Sequence, residues 1–346
     1  MSNENVSTIK SGSEKKNLGQ LASDNSMWVI LVGLIVVMCI ATLIKGGAFF
    51  LTYTNISNIF QSEVGPGLLA MGVMFVIISK GIDLSMGSVV SLAAVVSASF
   101  AQQLTYNARI FKNDLVLPGF IAVLIGLAVG CLIGLINGSL VAYTKIHPFI
   151  ATLGTMSAGR GFALLFTKGN PVSQLNPDYT VYGAKHFFNQ KLHSNVLIFV
   201  LIAIIAWFIL NQTRFGRNIY AIGGNKDAAR VAGVKVEKNL VAIYAWCGTL
   251  CGLAAVLTVG RTGSANPQLG LNWELDGIAA ATIGGISQNG GVGKVSGCIA
   301  GILILGILKS ALIYLGVSTY YQEIVKGFII VIAVVLDNRK MIGKQA

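Results

Sequence analysis

The chain offers few residues whose spacing could support catalysis. The segment GGVGKV at positions 290–295 is the nearest approach to a phosphate-binding loop, which requires a glycine five residues before its Gly-Lys pair and a hydroxyl after the lysine. Gln288 and Val295 occupy those two positions, so the pattern fails twice. The three histidines form no HExxH pattern either. The sequence therefore predicts no catalytic residue, no resident metal and no cofactor bound by this chain.

A second set of candidates consists of ionisable residues inside or beside apolar runs, where an unpaired charge costs on the order of 3 kcal/mol. Glu323 and Lys326 are three positions apart and can pair on one helix. Asp83 and Asp276 are predicted to cap helix N-termini because each precedes a run of small residues. Structural roles and direct contact with a transported solute or ion both remain open for this set, which comprises Asp83, Arg160, Glu274, Asp276, Lys309, Glu323 and Lys326.

The third candidate is a polar segment, residues 211–238, that carries the signals of a short helix. Asn225 is a favourable N-cap, and Gly223-Gly224 before it is predicted to form a turn. Asp227 and Arg230 match the helix dipole at the two ends, and Gly233 supplies a stop. Either the helix docks a partner protein through a small apolar surface, or it packs on its own bundle. The residues of this candidate site are Gly224, Asn225, Lys226, Asp227, Ala228, Ala229, Arg230 and Val231, and Ala232 completes the apolar surface.

The composition indicates which elements must position these residues. Of the 346 residues, 54% are hydrophobic and 11% are charged, whereas a soluble domain carries about 25% charged residues. The net charge of +12 does not indicate nucleic-acid binding, because many of the basic residues flank apolar runs. The five cysteines all lie inside such runs and are interpreted as small buried hydrophobes. The sequence predicts an all-α, multi-pass membrane protein.

Ten apolar runs are predicted to be membrane spans, each of which needs about 20 residues to cross a bilayer. Two of them, Gly65–Ser79 and Asp276–Ile286, are short, so they are either extended by neighbouring polar residues or partly broken. The predicted spans are Met27–Ile44, Gly65–Ser79, Met86–Ala101, Leu115–Tyr143, Pro148–Phe166, Asn195–Leu210, Leu240–Val259, Asp276–Ile286, Val295–Leu315 and Tyr320–Val335.

Basic residues predict the orientation of these spans. With ten spans, 15 lysines and arginines fall on the side of the two termini and 7 on the other side. The excess of positive charge marks the cytoplasmic side. We therefore expect a disordered cytoplasmic tail at residues 1–26, a membrane domain at 27–337 and a cytoplasmic tail at 338–346.

The spans also suggest an internal repeat. Asp83 and Asp276 each precede a small-residue helix, and a glycine-spaced helix follows each of these. The two copies lie five spans apart, an odd number, so the repeat would be inverted in the membrane. Glycine rows of this kind allow close packing between membrane helices. The rows are Gly126, Gly130, Gly134 and Gly138 in the first copy, and Gly293, Gly297 and Gly301 in the second.

Segments distributed along the chain resemble the permease subunits of ABC importers for monosaccharides, of the ribose and galactose/methyl-galactoside type. Besides residues 211–238, which resemble the ATPase-contacting coupling segment, they are GIDLSMGS (81–88), FIATLGTM (149–156), ELDGI (274–278) and YYQEIVKG (320–327). The resemblance implies the ten-helix type II importer architecture in a bacterial inner membrane. It also implies a homodimer, a cytoplasmic ATPase pair that binds and hydrolyses ATP-Mg, and a periplasmic sugar-binding protein.

Two functions are therefore considered. The first is the permease of an ATP-driven sugar importer, which is not itself an enzyme. The alternative is an ion-coupled secondary transporter of a small polar solute, with the intramembrane charges as coupling groups. The sequence does not choose between a pentose, a hexose and another hydroxylated solute, because in the first case the binding protein supplies the selectivity.

Overall fold

The computed structural model describes residues 26–45, 50–112, 117–187, 192–318, 320–329, 331–332 and 335. Apart from Ser26, both predicted tails lie outside the described residues. The elements of the first half are α1 (Ser26–Lys45), α2 (Tyr53–Ile78), α3 (Met86–Ser99), α4 (Gly119–Tyr143), α5 (Pro148–Thr167), α6 (Pro177–Ala184), β1 (His186–Phe187) and β2 (Leu192–His193). Those of the second half are α7 (Ser194–Gln212), α8 (Arg214–Gly224), α9 (Lys226–Val231), α10 (Val236–Thr262), α11 (Trp273–Ile283), α12 (Val295–Tyr314) and α13 (residues 320–329).

Seven of the helices in the described part of the chain are long and apolar enough to cross a membrane. They are α1, α2, α4, α5, α7, α10 and α12. Each of the ten predicted spans corresponds to a helix, but three are shorter than a span in the described residues: α3 has 14 residues, α11 has 11, and α13 covers 320–329. The chain is thus an integral membrane protein. The antiparallel pair β1–β2 is an addition to the predicted all-helical class.

The two short spans have different explanations. The predicted span Gly65–Ser79 is extended by polar residues, because α2 begins at Tyr53 and runs for 26 residues. In contrast, α11 ends at Ile283, where Gly284 and Gly285 follow and Gly285 adopts φ 83°. A glycine at positive φ terminates a helix without steric cost. The second short span is therefore a short helix.

Helices α2 and α10 form the centre of the bundle. They pack against each other, and the residues of α2 from Glu63 to Ile78 are all buried. Helix α10 also packs along α4, and the glycine row predicted in α4 lies at this contact. A Cβ added at Gly130 would collide with the carbonyl of Gly248, and one added at Gly248 would collide with the carbonyl of Gly130. Glycine on both helices thus lets the two backbones touch.

The second glycine row makes a different contact. Gly297 and Gly301 lie in α12, where an added Cβ would collide with the carbonyls of Gly284 and Ala280 at the end of α11. Gly293 was predicted to belong to this row, but it precedes the first residue of α12, Val295. The first row packs on α10, whereas the second packs on the helix that carries Asp276. The two rows are alike in sequence but not in their neighbours.

Candidate coupling segment and intramembrane charge network

The short helix predicted around Asn225 is present as α9. The Asn225 side-chain oxygen accepts hydrogen bonds from the backbone N–H groups of Asp227 at 3.0 Å and Ala228 at 2.9 Å. Asp227 lies in the first turn, Arg230 in the last, and Gly233 follows at φ 86°. The cap, the charges and the stop residue are therefore confirmed, because each is fixed by local backbone chemistry.

The two faces of α9 differ in exposure. Ala229 is buried, and its carbonyl accepts a hydrogen bond from the Val234 N–H at 3.0 Å. Val231 points outward and is 91% exposed, and Ala228 beside it is also exposed. The predicted apolar surface therefore includes Ala228 and Val231 but not Ala229. The packing interpretation is confirmed for the Ala229 face, and docking of a partner on the exposed face stays a prediction.

Arg230 ties α9 to the start of α10. Its guanidinium forms ion pairs with Asp227 in the preceding turn and with Glu237 in the first turn of α10. The arginine is half exposed, so these pairs orient the helix more than they stabilise it. A six-residue helix is too short to persist alone in water. The cap, the buried Ala229 and the Arg230 pairs together hold it in place.

Gly223 and Gly224 do not form the predicted turn, because they are the last two residues of α8. Gly223 is pressed against the end of α2, where an added Cβ would collide with the Ile78 carbonyl. The same carbonyl accepts a hydrogen bond from the Gly291 N–H at 2.8 Å. The absence of a side chain at Gly223 therefore lets three segments meet at one carbonyl group.

Tyr220 provides a second link between α8 and the loop before α12. Its hydroxyl donates a 2.8 Å hydrogen bond to the Gly293 carbonyl. Burial raises the pKa of the Tyr220 phenol above its usual value. Sequence reasoning missed these contacts. The glycines of the segment 290–293 were the available signal, because Gly290 and Gly291 adopt positive φ and form the contact surface for α8.

An open cleft of about 730 Å³ lies beside α9. The end of α2, the turn between α4 and α5, and the start of α9 line it. Its basic residues include Lys80 and Lys145, both at positive φ, and Lys226. These three segments therefore share one end of the bundle.

Asp83 is buried but does not cap α3. Its carboxylate accepts hydrogen bonds from the Ser85 N–H at 2.9 Å and the Ser85 hydroxyl at 2.7 Å, whereas the N-cap position of α3 is Ser85 itself. The Asn137 amide donates to the Ser85 hydroxyl at 2.8 Å. Asp83 therefore orders the extended segment between α2 and α3 and joins it to α4. The prediction of an N-cap was wrong by two positions.

Arg160 and Glu274 lie on either side of the loop between α10 and α11. The Arg160 guanidinium donates hydrogen bonds to the carbonyls of Pro267 at 3.3 Å and Leu269 at 3.0 Å. Glu274 is buried in the first turn of α11, against Gly87 at the start of α3. The arginine thus binds two loop carbonyls through Nη1, which gives its charge polar partners within the protein.

Asp276 is the centre of a charge network and not a helix cap. Its carboxylate oxygens lie 3.0 Å from the Lys309 ammonium and 3.0 Å from the Lys326 ammonium. Lys309 also lies 3.5 Å from Glu63 of α2. Lys326 pairs with Glu323 at 2.8 Å, as predicted. The network joins α2, α11, α12 and α13. The N-cap position of α11 is Asn272 instead.

Sequence reasoning missed Glu63 because the predicted span began at Gly65, two residues later. The structure brings Asp276, Glu323 and Lys326 together, whereas Asp83 and Arg160 form their hydrogen bonds with other residues. Within the described residues, no group of three or more histidine, cysteine, aspartate and glutamate residues could hold a metal ion.

Comparisons with known proteins identify the fold family. Residues 55–334 match the family model described as branched-chain amino acid transport system / permease component. The chain belongs to this family. It is 38% identical to the galactose/methyl galactoside import permease MglC of Haemophilus influenzae, over 96% of this chain and 99% of that protein.

Ribose permeases match nearly as well. The chain is 39% identical to the ribose import permease RbsC of Bacillus subtilis, over 89% of this chain and 92% of that protein. It is also 39% identical to the MglC protein of Escherichia coli, over 96% of this chain and 98% of that protein. No solved structure matches the chain. The family description names amino acids, whereas these relatives are named for sugars.

Proposed function

We propose that this chain is the membrane-spanning permease of an ATP-driven importer for a monosaccharide. The observation that carries the proposal is its near full-length similarity to permeases named for galactose, methyl galactoside and ribose. The chain is a transport subunit and not an enzyme, and ATP-Mg is bound and hydrolysed by partner subunits. Its partners are a cytoplasmic ATPase pair, a periplasmic sugar-binding protein and a second copy of the permease.

The exposed face of α9 is the proposed contact with the ATPase. Val231 and Ala228 project outward, whereas Ala229 and Arg230 hold the helix to its own bundle. A partner that displaces α9 would displace α8, which directly precedes it in the chain. Through Gly223 and Tyr220, α8 contacts the end of α2 and the loop before α12. These contacts give ATP-driven movement a route to the central helices, as alternating access requires.

We propose ten spans with an inverted repeat, which the pairing of helices supports although the two glycine rows pack against helices that are not equivalent. The repeat pairs α2 with α10, α3 with α11 and α4 with α12. Under this pairing the contact of α2 with α12 corresponds to that of α10 with α4. The contact of α2 with α11 corresponds to that of α10 with α3, and α3 with α4 to α11 with α12. The copies lie five spans apart, which inverts them.

Reconstitution in liposomes tests the function. Permease, ATPase and binding protein are assembled together, and uptake of radiolabelled D-galactose and D-ribose is measured with and without internal ATP. We expect uptake only when ATP, the ATPase and the binding protein are all present. Uptake by the permease alone under a proton or sodium gradient would overturn the proposal and favour the ion-coupled alternative.

A further inference from the structure

The charge network borders a cavity that the coupling mechanism does not use. The cavity lies between α11, α12 and α13 and has a volume of about 170 Å³. Leucine side chains from α12 and from the loop before α11 form part of its wall. Its aromatic and polar lining consists of Trp273, Asp276, Lys309, Gln322, Glu323 and Lys326.

The residue types of this lining match the chemistry of a sugar. An indole presents a flat apolar surface to the C–H face of a sugar ring and also has one polar edge. Carboxylate and amide oxygens accept hydrogen bonds from hydroxyl groups, and ammonium groups donate to them. A concave site with an apolar wall and a few convergent polar groups is the usual form of a small-molecule site.

The polar groups are held in place before any ligand arrives. Asp276 is fixed by the ammonium groups of Lys309 and Lys326 at 3.0 Å each, and Lys326 is also fixed by Glu323. Gln322 is oriented by a hydrogen bond from its amide to the Val317 carbonyl at 3.1 Å. Preorganised polar groups lose little entropy when a ligand binds.

Glu323 is the least buried of the charged residues that line the cavity. Its side chain is 60% exposed, although α13 belongs to the membrane domain. Its carboxylate is paired with the Lys326 ammonium at 2.8 Å, and the rest of the side chain is uncovered. The cavity is therefore open beside Glu323, where a small hydrophilic solute can enter.

The dimensions select a single sugar unit. A volume of 170 Å³ equals that of about five or six water molecules in the liquid. It is below the range of about 300–1,000 Å³ that holds drug-sized ligands. The cavity is therefore too small for a disaccharide or a longer saccharide.

Trp273 also borders a second cavity, of about 240 Å³. Gln61, Asn195, Thr258 and Arg261 line that cavity together with the apolar residues Val64 and Leu257. The indole is thus common to both cavities, so a solute that passed from one to the other would contact Trp273.

We propose that the cavity bounded by Trp273 and the Asp276 network is a weak, transient monosaccharide site on the transport path. The inference rests on the proposed function as a sugar permease. The site is weak because a transport path must release what it binds. It would add a selection step for sugar size and hydroxyl pattern after delivery by the binding protein.

Tryptophan fluorescence tests the site directly. The full permease is placed in lipid nanodiscs and titrated with D-galactose and D-ribose, with L-glucose as the control for solution effects. We expect a saturable change at millimolar D-sugar that L-glucose does not reproduce. Trp273→Phe should abolish the change. The matched control Trp207→Phe, on an exposed face of α7, should retain it.

A second variant separates binding from folding. Gln322→Ala should raise the half-saturating concentration of D-galactose at least threefold. Its thermal unfolding temperature should equal that of the wild type. No saturable D-sugar response, or a full response in Trp273→Phe, would overturn the site. Uptake driven by ATP is measured in the same batch. Uptake without the fluorescence response refutes only this inference, whereas the response without uptake refutes the importer function and leaves the site.

Discussion

At the residue scale, Val231 is the most exposed apolar side chain of α9 and therefore the clearest candidate for contact with a partner. Replacing it with aspartate places a charge in the proposed apolar contact. We expect Val231→Asp to reduce ATP-driven uptake at least tenfold and to prevent co-purification of the ATPase, with membrane insertion unchanged. Val231→Leu is the matched control and should retain both. Normal uptake by Val231→Asp with the ATPase still bound would contradict the docking role.

Asn225 makes a separate prediction, because its side chain caps the N-terminus of α9. Asn225→Ala removes the acceptor for two backbone N–H groups and should cost about 1 kcal/mol of local stability. Faster hydrogen exchange at the amides of Asp227 and Ala228 would measure that loss. Asn225→Asp preserves the acceptor and should exchange like the wild type. Equal exchange in both variants would show that the cap is not needed.

These residues show which features of the candidate site could be predicted from the sequence. The caps and charges of α9 were predictable because they depend on neighbours within a few positions. The burial of Ala229 and the exposure of Val231 were not, because they depend on how α9 packs against the bundle. Asp276 was misjudged for the same reason: its partners Lys309 and Lys326 are 33 and 50 positions away (309 − 276 and 326 − 276).

At the scale of elements, helix boundaries followed the sequence closely where apolar runs were uniform. Helix α5 was predicted from Pro148, where it begins. Helix α2 begins 12 positions before its predicted start (65 − 53), because polar residues such as Asn55, Ser57 and Gln61 interrupt the apolar pattern of its first turns. Hydropathy does not detect a helical segment that is rich in polar residues.

The close contact between α4 and α10 predicts that adding one methyl group at Gly130 destabilises the protein. Gly130→Ala places a Cβ against the Gly248 carbonyl, so the helices must separate at a cost of about 1–3 kcal/mol. We expect a lower thermal unfolding temperature in detergent. Gly161→Ala in α5 is the control, because an added Cβ there meets nothing within 4 Å. Equal unfolding temperatures for the two variants would contradict the tight packing.

The charge network makes a prediction for four helices together. Asp276→Asn leaves Lys326 paired only with the exposed Glu323, and it leaves Lys309 paired only with Glu63 at 3.5 Å. Breaking such a buried pair costs about 3–5 kcal/mol of stability. Glu323→Gln removes an exposed partner and should cost about 1 kcal/mol or less. Thermal unfolding of the two variants measures the difference. A greater loss in Glu323→Gln would show that Asp276 is not the centre of the network.

At the scale of the whole molecule, the arrangement of the termini and the inverted repeat make one joint prediction. Helix α4 ends before Lys145, and α12 begins after Lys294. If α4 and α12 are inverted copies, the end of one and the start of the other lie on the same side of the membrane. Lys168, after α5, then lies on the opposite side. A repeat in parallel orientation would instead separate Lys145 from Lys294.

Labelling with a membrane-impermeant maleimide distinguishes these arrangements. Lys145→Cys, Lys168→Cys and Lys294→Cys are made singly in a background without the five native cysteines, and uptake confirms that each protein is folded. We expect only Lys168→Cys to react from the periplasmic side, because the excess of basic residues keeps the other two positions in the cytoplasm. Reaction of Lys294→Cys from the periplasmic side would refute the inversion. Reaction of Lys145→Cys from that side would refute the orientation of the chain, because α4 would then cross the membrane in the opposite direction.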